Sequence, residues 1–356
     1  MLRRVDNPPN PYDRYSVDLL GEPPAARVEI YEERAHSIIS ENDSPDVPFR
    51  YSVNPYRGCQ HACAYCYARP THEYLGYGAG TDFETRLVVK INAAELLRWA
   101  ITRRSWTGEH LAFSGVTDCY QPHEAVYGVT RACIQACAEH RQPISIVTKS
   151  YLITRDIDVL TLLVRDDRVR VFISIPFADD AMARAIESGA PSPTRRFDAL
   201  RQLAAAGIPT GVMVAPIIPG LSDRQVAAVL EQAAACGAQW AGYMPLRLPG
   251  PVADVFLTRL RAVMPHAAGR VEALVRDTHG GRLNDPRFGC RFEGGGAYWE
   301  AIAQLFEKTA TRLGLTGKPD WDACEQGITP RSPSKDAVAA PPRAELSVRQ
   351  LPLWTD

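Results

Sequence analysis

The chain has 356 residues, 46% of them hydrophobic, enough for one large α/β domain or two smaller ones with a substantial core. A net charge of −1 excludes a global electrostatic pull toward nucleic acid, and five of the 40 basic residues are lysine, so arginine clusters carry little weight as phosphate sites. No stretch approaches the ~18–20 apolar residues of a membrane helix; no apolar signal core follows Met1, and nine cysteines in so long a chain point to a reducing cytoplasm rather than to disulfide staples.

Residues 1–48 are rich in Pro, Asn, Glu and Arg with little periodicity, and read as an N-terminal extension wrapped on the core. From 49 to 245 short apolar runs alternate with helical patterns. The predicted strands are Tyr51–Asn54, His110–Ser114, Ile144–Thr148, Val169–Ile175, Thr210–Ala215 and Gln239–Tyr243. Between them lie amphipathic stretches at Ala93–Thr102, His123–Glu139, Thr154–Arg165, Asp179–Glu187 with Pro193–Ala206, and Asp223–Ala235. Strands alternating with helices imply parallel βαβ units. Six such units predict a partial (β/α)6 TIM-like barrel, in which chemistry gathers at the C-terminal ends of the strands. Residues 246–325 add a helical extension, with an amphipathic helix at Ala297–Leu313, and the Pro/Ser/Ala-rich residues 326–356 read as a flexible tail.

The first strand runs directly into Gly58-Cys-Gln-His-Ala-Cys-Ala-Tyr-Cys-Tyr67. Cys59, Cys63 and Cys66 can converge on one inorganic centre, with no fourth cysteine close by. A [4Fe-4S] cluster held this way keeps one iron without a protein ligand, and an open metal position is where chemistry happens. The competing reading is structural zinc, which takes four ligands, with His61 or His72 as the fourth. Arg57, two residues before the first cysteine, could balance cluster charge.

The later strand ends carry further polar groups. Ser114-Gly-Val-Thr-Asp118 offers a glycine for close backbone approach and hydrogen-bond partners at Ser114, Thr117 and Asp118, although an ordinary β–α turn reads the same way. Thr148-Lys149-Ser150 ends the third strand, where a lysine between two hydroxyls suits a carboxylate or a ribose. Arg195 and Arg196 open a helix at the unfavourable end of its dipole, which hints at an anion partner. Cys133 and Cys137, four apart on a predicted helix, read as small core residues.

These segments closely resemble the radical S-adenosylmethionine (SAM) family grouped with spore photoproduct lyase. The resemblance runs from about Ala35 to Leu313. It rests on His36-Ser-Ile-Ile-Ser-Glu-Asn-Asp-Ser44, Asn54 through Gly76 including Tyr65 before the last cysteine, Ser114–Asp118, Ala190-Pro-Ser-Pro193 and Val214-Ala-Pro-Ile-Ile-Pro-Gly220. It implies a radical SAM enzyme with a [4Fe-4S] cluster on Cys59, Cys63 and Cys66. It further implies SAM near Ser114, Gly115, Thr117, Asp118, Thr148, Lys149 and Ser150, a reductant such as flavodoxin or ferredoxin, and damaged or modified DNA as substrate. An RNA, peptide or metabolite substrate is the alternative, as is a non-catalytic zinc- or cluster-bearing binding protein. Spore photoproduct lyase returns a hydrogen atom through a cysteine and a tyrosine near the second strand. Here that strand ends in Ser114-Gly115, so this apparatus does not transfer, and Cys119, Tyr120 and Cys290 are only weak catalytic candidates. At the far end Gln350-Leu351-Pro352-Leu353-Trp354 resembles a bacterial sliding-clamp binding peptide.

Overall fold

The computed structural model describes residues 27–316 and the backbone of Gln350–Leu351. The strands are β1 (Glu29–Glu33), β2 (Ile39–Glu41), β3 (Tyr51–Val53), β4 (Tyr56–Arg57), β5 (Arg86–Lys90), β6 (Leu111–Phe113), β7 (Ile144–Thr148), β8 (Val169–Ser174), β9 (Thr210–Ile217), β10 (Trp240–Pro245) and β11 (Gln350–Leu351). Seven of them form one sheet in the order β10-β9-β8-β7-β6-β3-β2. Six are parallel and follow one another in sequence order, while β2 runs antiparallel along the edge of β3. All six predicted strands are present, and the protein is a mixed α/β fold built on a parallel sheet.

The parallel strands are buried because helices cover them. In β8 all six residues of VRVFIS are buried, the pattern of a strand covered on both faces. One apolar cluster joins Leu97, Ile134, Leu160, Leu200, Leu230 and Phe306 on the helices to Phe113, Ile146, Ile173 and Val214 on the strands. The helix Pro193–Ala205 shows how the sequence sets its ends: the Ser192 hydroxyl accepts from Arg195 N, Pro193 occupies the first turn, and Gly207 follows with φ +76°. Among the described residues no helix is long and apolar enough to cross a membrane.

Two features differ from the sequence reading. The stretch His123–Glu139 breaks at Gly128, whose φ of +62° separates a short helix, Glu124–Tyr127, from Val129–Glu139. A second sheet, ordered β11-β1-β5-β4, stands beside the first. In it β1 pairs in parallel with β5, which pairs antiparallel with β4 just ahead of the cysteines. Gln350–Leu351, expected on a free tail, instead pairs antiparallel with Ile30 and Tyr31 of β1. The other tail residues, Leu353 and Trp354 among them, lie outside the described residues.

Candidate functional site

The cysteine loop leaves β4 through Gly58, whose φ of +73° suits glycine, and a Cβ there would stand 2.8 Å from Leu87 Cδ2. Cys59 N donates to Phe83 O at 2.9 Å. Gln121 clamps the next turn: its Nε2 donates to Gly58 O at 3.2 Å and its Oε1 accepts from Gln60 N at 3.1 Å. Arg69 is fully buried and donates to the carbonyls of Cys63, Ala79 and Gly80, while its charge meets Glu84. On the other side Ala64 N donates to Ile186 O at 3.0 Å and Gly189 N donates to His61 O at 3.1 Å. Gly189 is obligatory there, because a Cβ would lie 2.0 Å from Gln60 O.

The three cysteines are unbonded thiols, Cys59 and Cys63 buried and Cys66 half-buried. Burial pushes the Cys59 thiol up to about 12, with Asp118 and Cys66 adding to the shift. Burial also raises Cys63 well above the usual thiol range; Glu187 reinforces this, Lys149 opposes it, and Cys66 and Cys59 contribute. The three sulfurs therefore act on one another electrostatically. Each candidate fourth zinc ligand uses one ring nitrogen: His61 Nδ1 lies 3.2 Å from Asp118 Oδ2, and His72 Nε2 donates to Arg86 O at 2.8 Å while its Nδ1 is buried without a hydrogen-bond partner. Among the described residues no three His, Cys, Asp or Glu side chains are close enough to hold a single metal ion.

Asp118 knits the ends of β6 and β7 together. Its Oδ1 accepts from Thr148 Oγ1 at 2.7 Å and Tyr120 N at 2.9 Å, and its Oδ2 accepts from Lys149 N at 2.8 Å. Burial alone would raise its carboxyl, but His61, the Lys149 amide and the Thr148 hydroxyl hold it down to about 2. Thr117 Oγ1 donates to Tyr56 O, and Ser150 Oγ caps the following turn by accepting from Leu152 N. Ser114, at φ +73°, accepts from Cys119 N through its hydroxyl, and the Gly115 carbonyl accepts from the exposed Tyr67 hydroxyl at 2.7 Å. Of the seven predicted cofactor-binding residues, Asp118 and Lys149 turn their charged ends to the cysteine loop, Asp118 through His61 and Lys149 through Tyr65. Lys149 Nζ lies 5.7 Å from the centre of the Tyr65 ring, donates to Ser174 Oγ at 3.0 Å and stands 3.9 Å from Glu187 Oε1.

Glu187 is the anchor that the sequence did not reveal. It is fully buried, accepts from the Tyr65 hydroxyl, and pairs with the fully buried Arg196 at 2.5 Å. Burial would raise its carboxyl; Arg196 and then Lys149 pull it below the usual range. Arg196 also donates to Ser174 O and Pro191 O, so its anion is internal, whereas Arg195 lies over the Tyr151 ring at 3.7 Å. The sequence signals for this arrangement were Arg196 at the unfavourable end of its helix, whose anion partner is Glu187, and the Ala190-Pro-Ser-Pro193 block beside it.

The remaining candidates separate by burial. Cys119 and Tyr120 are fully enclosed in the core, with Tyr120 OH donating to Asp156 at 3.1 Å, so neither faces the cysteine loop as an accessible group. Cys290 is partly exposed on the loop that carries Phe288 and Arg291. Arg57 lies 3.4 Å from Glu33 and is committed to the second sheet.

The Radical SAM superfamily model matches residues 53–233. An uncharacterized protein of Mycobacterium tuberculosis is 40% identical over 232 residues, which cover 65% of this chain and 68% of that one. An uncharacterized protein of Methanocaldococcus jannaschii is 32% identical over 56% of this chain and 71% of its own. Among solved structures, spore photoproduct lyase complexed with dinucleoside spore photoproduct superimposes with a TM-score of 0.58 at 16% identity, over 80% of this chain and 79% of that one. The likeness to the lyase is one of fold.

Proposed function

The chain belongs to the radical SAM superfamily, and from that premise we propose that it cleaves SAM reductively at a [4Fe-4S] cluster on Cys59, Cys63 and Cys66 and acts on damaged or modified DNA. The observation that carries this reading is a loop of three free thiols, pinned on both sides by buried arginine–glutamate pairs, at the end of the sheet where Asp118 and Lys149 also stand. The donor set fits: three unbonded thiols in one loop and no fourth cysteine among them. With cluster and SAM bound, the chemistry supplied is one-electron cleavage to methionine and a 5′-deoxyadenosyl radical that takes a hydrogen atom from the substrate.

In this reading the chain's own residues bind, orient and exclude water. Lys149 would offer a cation to the carboxylate of SAM, and Ser114 and Gly115 would take part in holding the cofactor. Asp118 fixes the Lys149 backbone, and Thr117, Thr148 and Ser150 keep the strand ends rigid. Cys290, the one accessible thiol among the three catalytic candidates, is the favoured hydrogen donor. A flavodoxin or ferredoxin supplies the electron in a cytoplasm that keeps the thiols reduced. A sliding clamp that takes up Gln350, Leu351, Leu353 and Trp354 would deliver the enzyme to DNA.

Anaerobic reconstitution tests the reading. About four irons and four sulfides per chain, 5′-deoxyadenosine formed with dithionite, and deuterium exchanged between irradiated DNA and 5′-deoxyadenosine are expected. One zinc per chain and no SAM cleavage would overturn it in favour of a binding module.

A further inference from the structure

A stack of alternating cations and rings joins Arg247 to the loop that carries Phe288 and Phe292. Arg247, just past the end of β10, lies 4.6 Å from the centre of the Phe292 ring. Arg291 lies between Phe292 and Phe288, at 4.9 Å and 4.7 Å. The outermost ring, Phe288, is 62% exposed. The far side is braced by the N-terminal segment: Arg291 pairs with Asp46 at 2.5 Å and meets Ser44, and Gly289 N donates to Asp46 at 2.7 Å.

The two arginines are not equivalent. Arg291 has its carboxylate, but Arg247 makes no hydrogen bond or ion pair among the described residues, and its Nε is buried without a partner. Burial lowers the Arg247 pKa, and Arg291 lowers it further, while Tyr67 and Asp46 act the other way. A half-buried guanidinium held beside a second one is unfavourable unless an anion completes it. Tyr67, 58% exposed and next in sequence to Cys66, is near enough to Arg247 to act on its charge. Exposed rings beside unpaired guanidinium are what a single nucleic acid strand uses, its bases stacking on rings and its phosphates meeting arginine.

We propose that Arg247 holds a phosphodiester of a single-stranded or extruded nucleotide segment, with Arg291 braced beside it on Asp46 and Phe288 as the stacking face for the adjoining base. This rests on the reading of DNA as substrate and adds the residues that grip it. The near-neutral net charge makes the grip local: affinity comes from this stack and not from the whole surface.

Fluorescence anisotropy of the reconstituted full-length protein with a short single-stranded DNA, and with an uncharged methylphosphonate copy of it, tests the proposal. Arg247→Gln should flatten the salt dependence by about 0.7 in the log–log slope and narrow the difference between the two strands. Phe288→Ala, at an exposed position, should weaken binding about 5- to 150-fold on both. Circular dichroism and the unfolding midpoint confirm that the variants fold. If DNA binds and both variants bind it like the parent, the proposal falls while the DNA reading stands. If an acidic peptide competes as well as DNA, the site takes carboxylates and the proposal falls. If the parent cleaves SAM yet binds no DNA, the DNA reading falls and the proposal with it.

Discussion

Cys63 is the most constrained of the three cysteines. Its carbonyl is held by Arg69, its backbone bridges Glu187, and its thiol answers to Lys149. Cys63→Ala should abolish iron retention and SAM cleavage, whereas Cys133→Ala, deep in the core, should keep both and lose only stability; iron analysis and 5′-deoxyadenosine assays decide it. The cysteines were legible because three thiols in eight residues are a local pattern. Arg196 gave half a signal, an anion partner hinted at by its place at a helix start; Glu187 gave none, because what defines it is a partner on another segment, and a lone Glu reads as a solvated residue. A second prediction concerns His110, which burial, reinforced by Arg170, lowers to about 4. A lowered folded pKa means that the unfolded chain takes up the proton first. Stability is then intact above about pH 6.5 and lost as pH falls toward about 4, by at most about 3 kcal/mol from this residue. Urea melts across that window should show the decline, and His110→Phe should remove part of it, since burial lowers His72 and His123 to about 4 as well; a decline unchanged in the variant would refute the assignment.

At the scale of elements, the parallel strands were legible as short apolar runs between helical patterns, and each falls within three residues of its expected ends. The second sheet was not. Its strand β4 has two residues, and β1 finds β5 more than fifty positions away, so no local pattern announces it. The loop that the cysteines occupy is shaped less by its own sequence than by the turn after Ile186, which lies against it. Gly189→Ala is therefore expected to act at a distance in sequence: the added methyl must displace Gln60 O, now 2.0 Å from where it would sit. Overpacking of this kind costs about 1–3 kcal/mol, and it should lower iron retention with all three ligands intact. Iron content equal to that of the parent would show that the turn after Ile186 does not set the loop.

At the scale of the whole molecule, Gln350–Leu351 close the edge of the sheet beside β1, joining segments more than three hundred positions apart. The tail was read as a tether because its composition is polar and Pro-rich, and a two-residue strand leaves no periodicity to find. Deleting residues 350–356 should expose the Ile30–Tyr31 edge and speed amide exchange there, and unchanged protection would argue against the pairing. The pairing also makes the C-terminal peptide a contested resource. Gln350 and Leu351 cannot lie along β1 and in a partner's pocket at the same time. An intramolecular competitor works at an effective concentration near millimolar, and the partner's apparent affinity falls by the fraction of time the peptide is released. The isolated peptide, residues 345–356, should thus bind a sliding clamp more tightly than the intact chain does. Recruitment would then be governed as much by how firmly the protein holds its own end as by how well the clamp fits it.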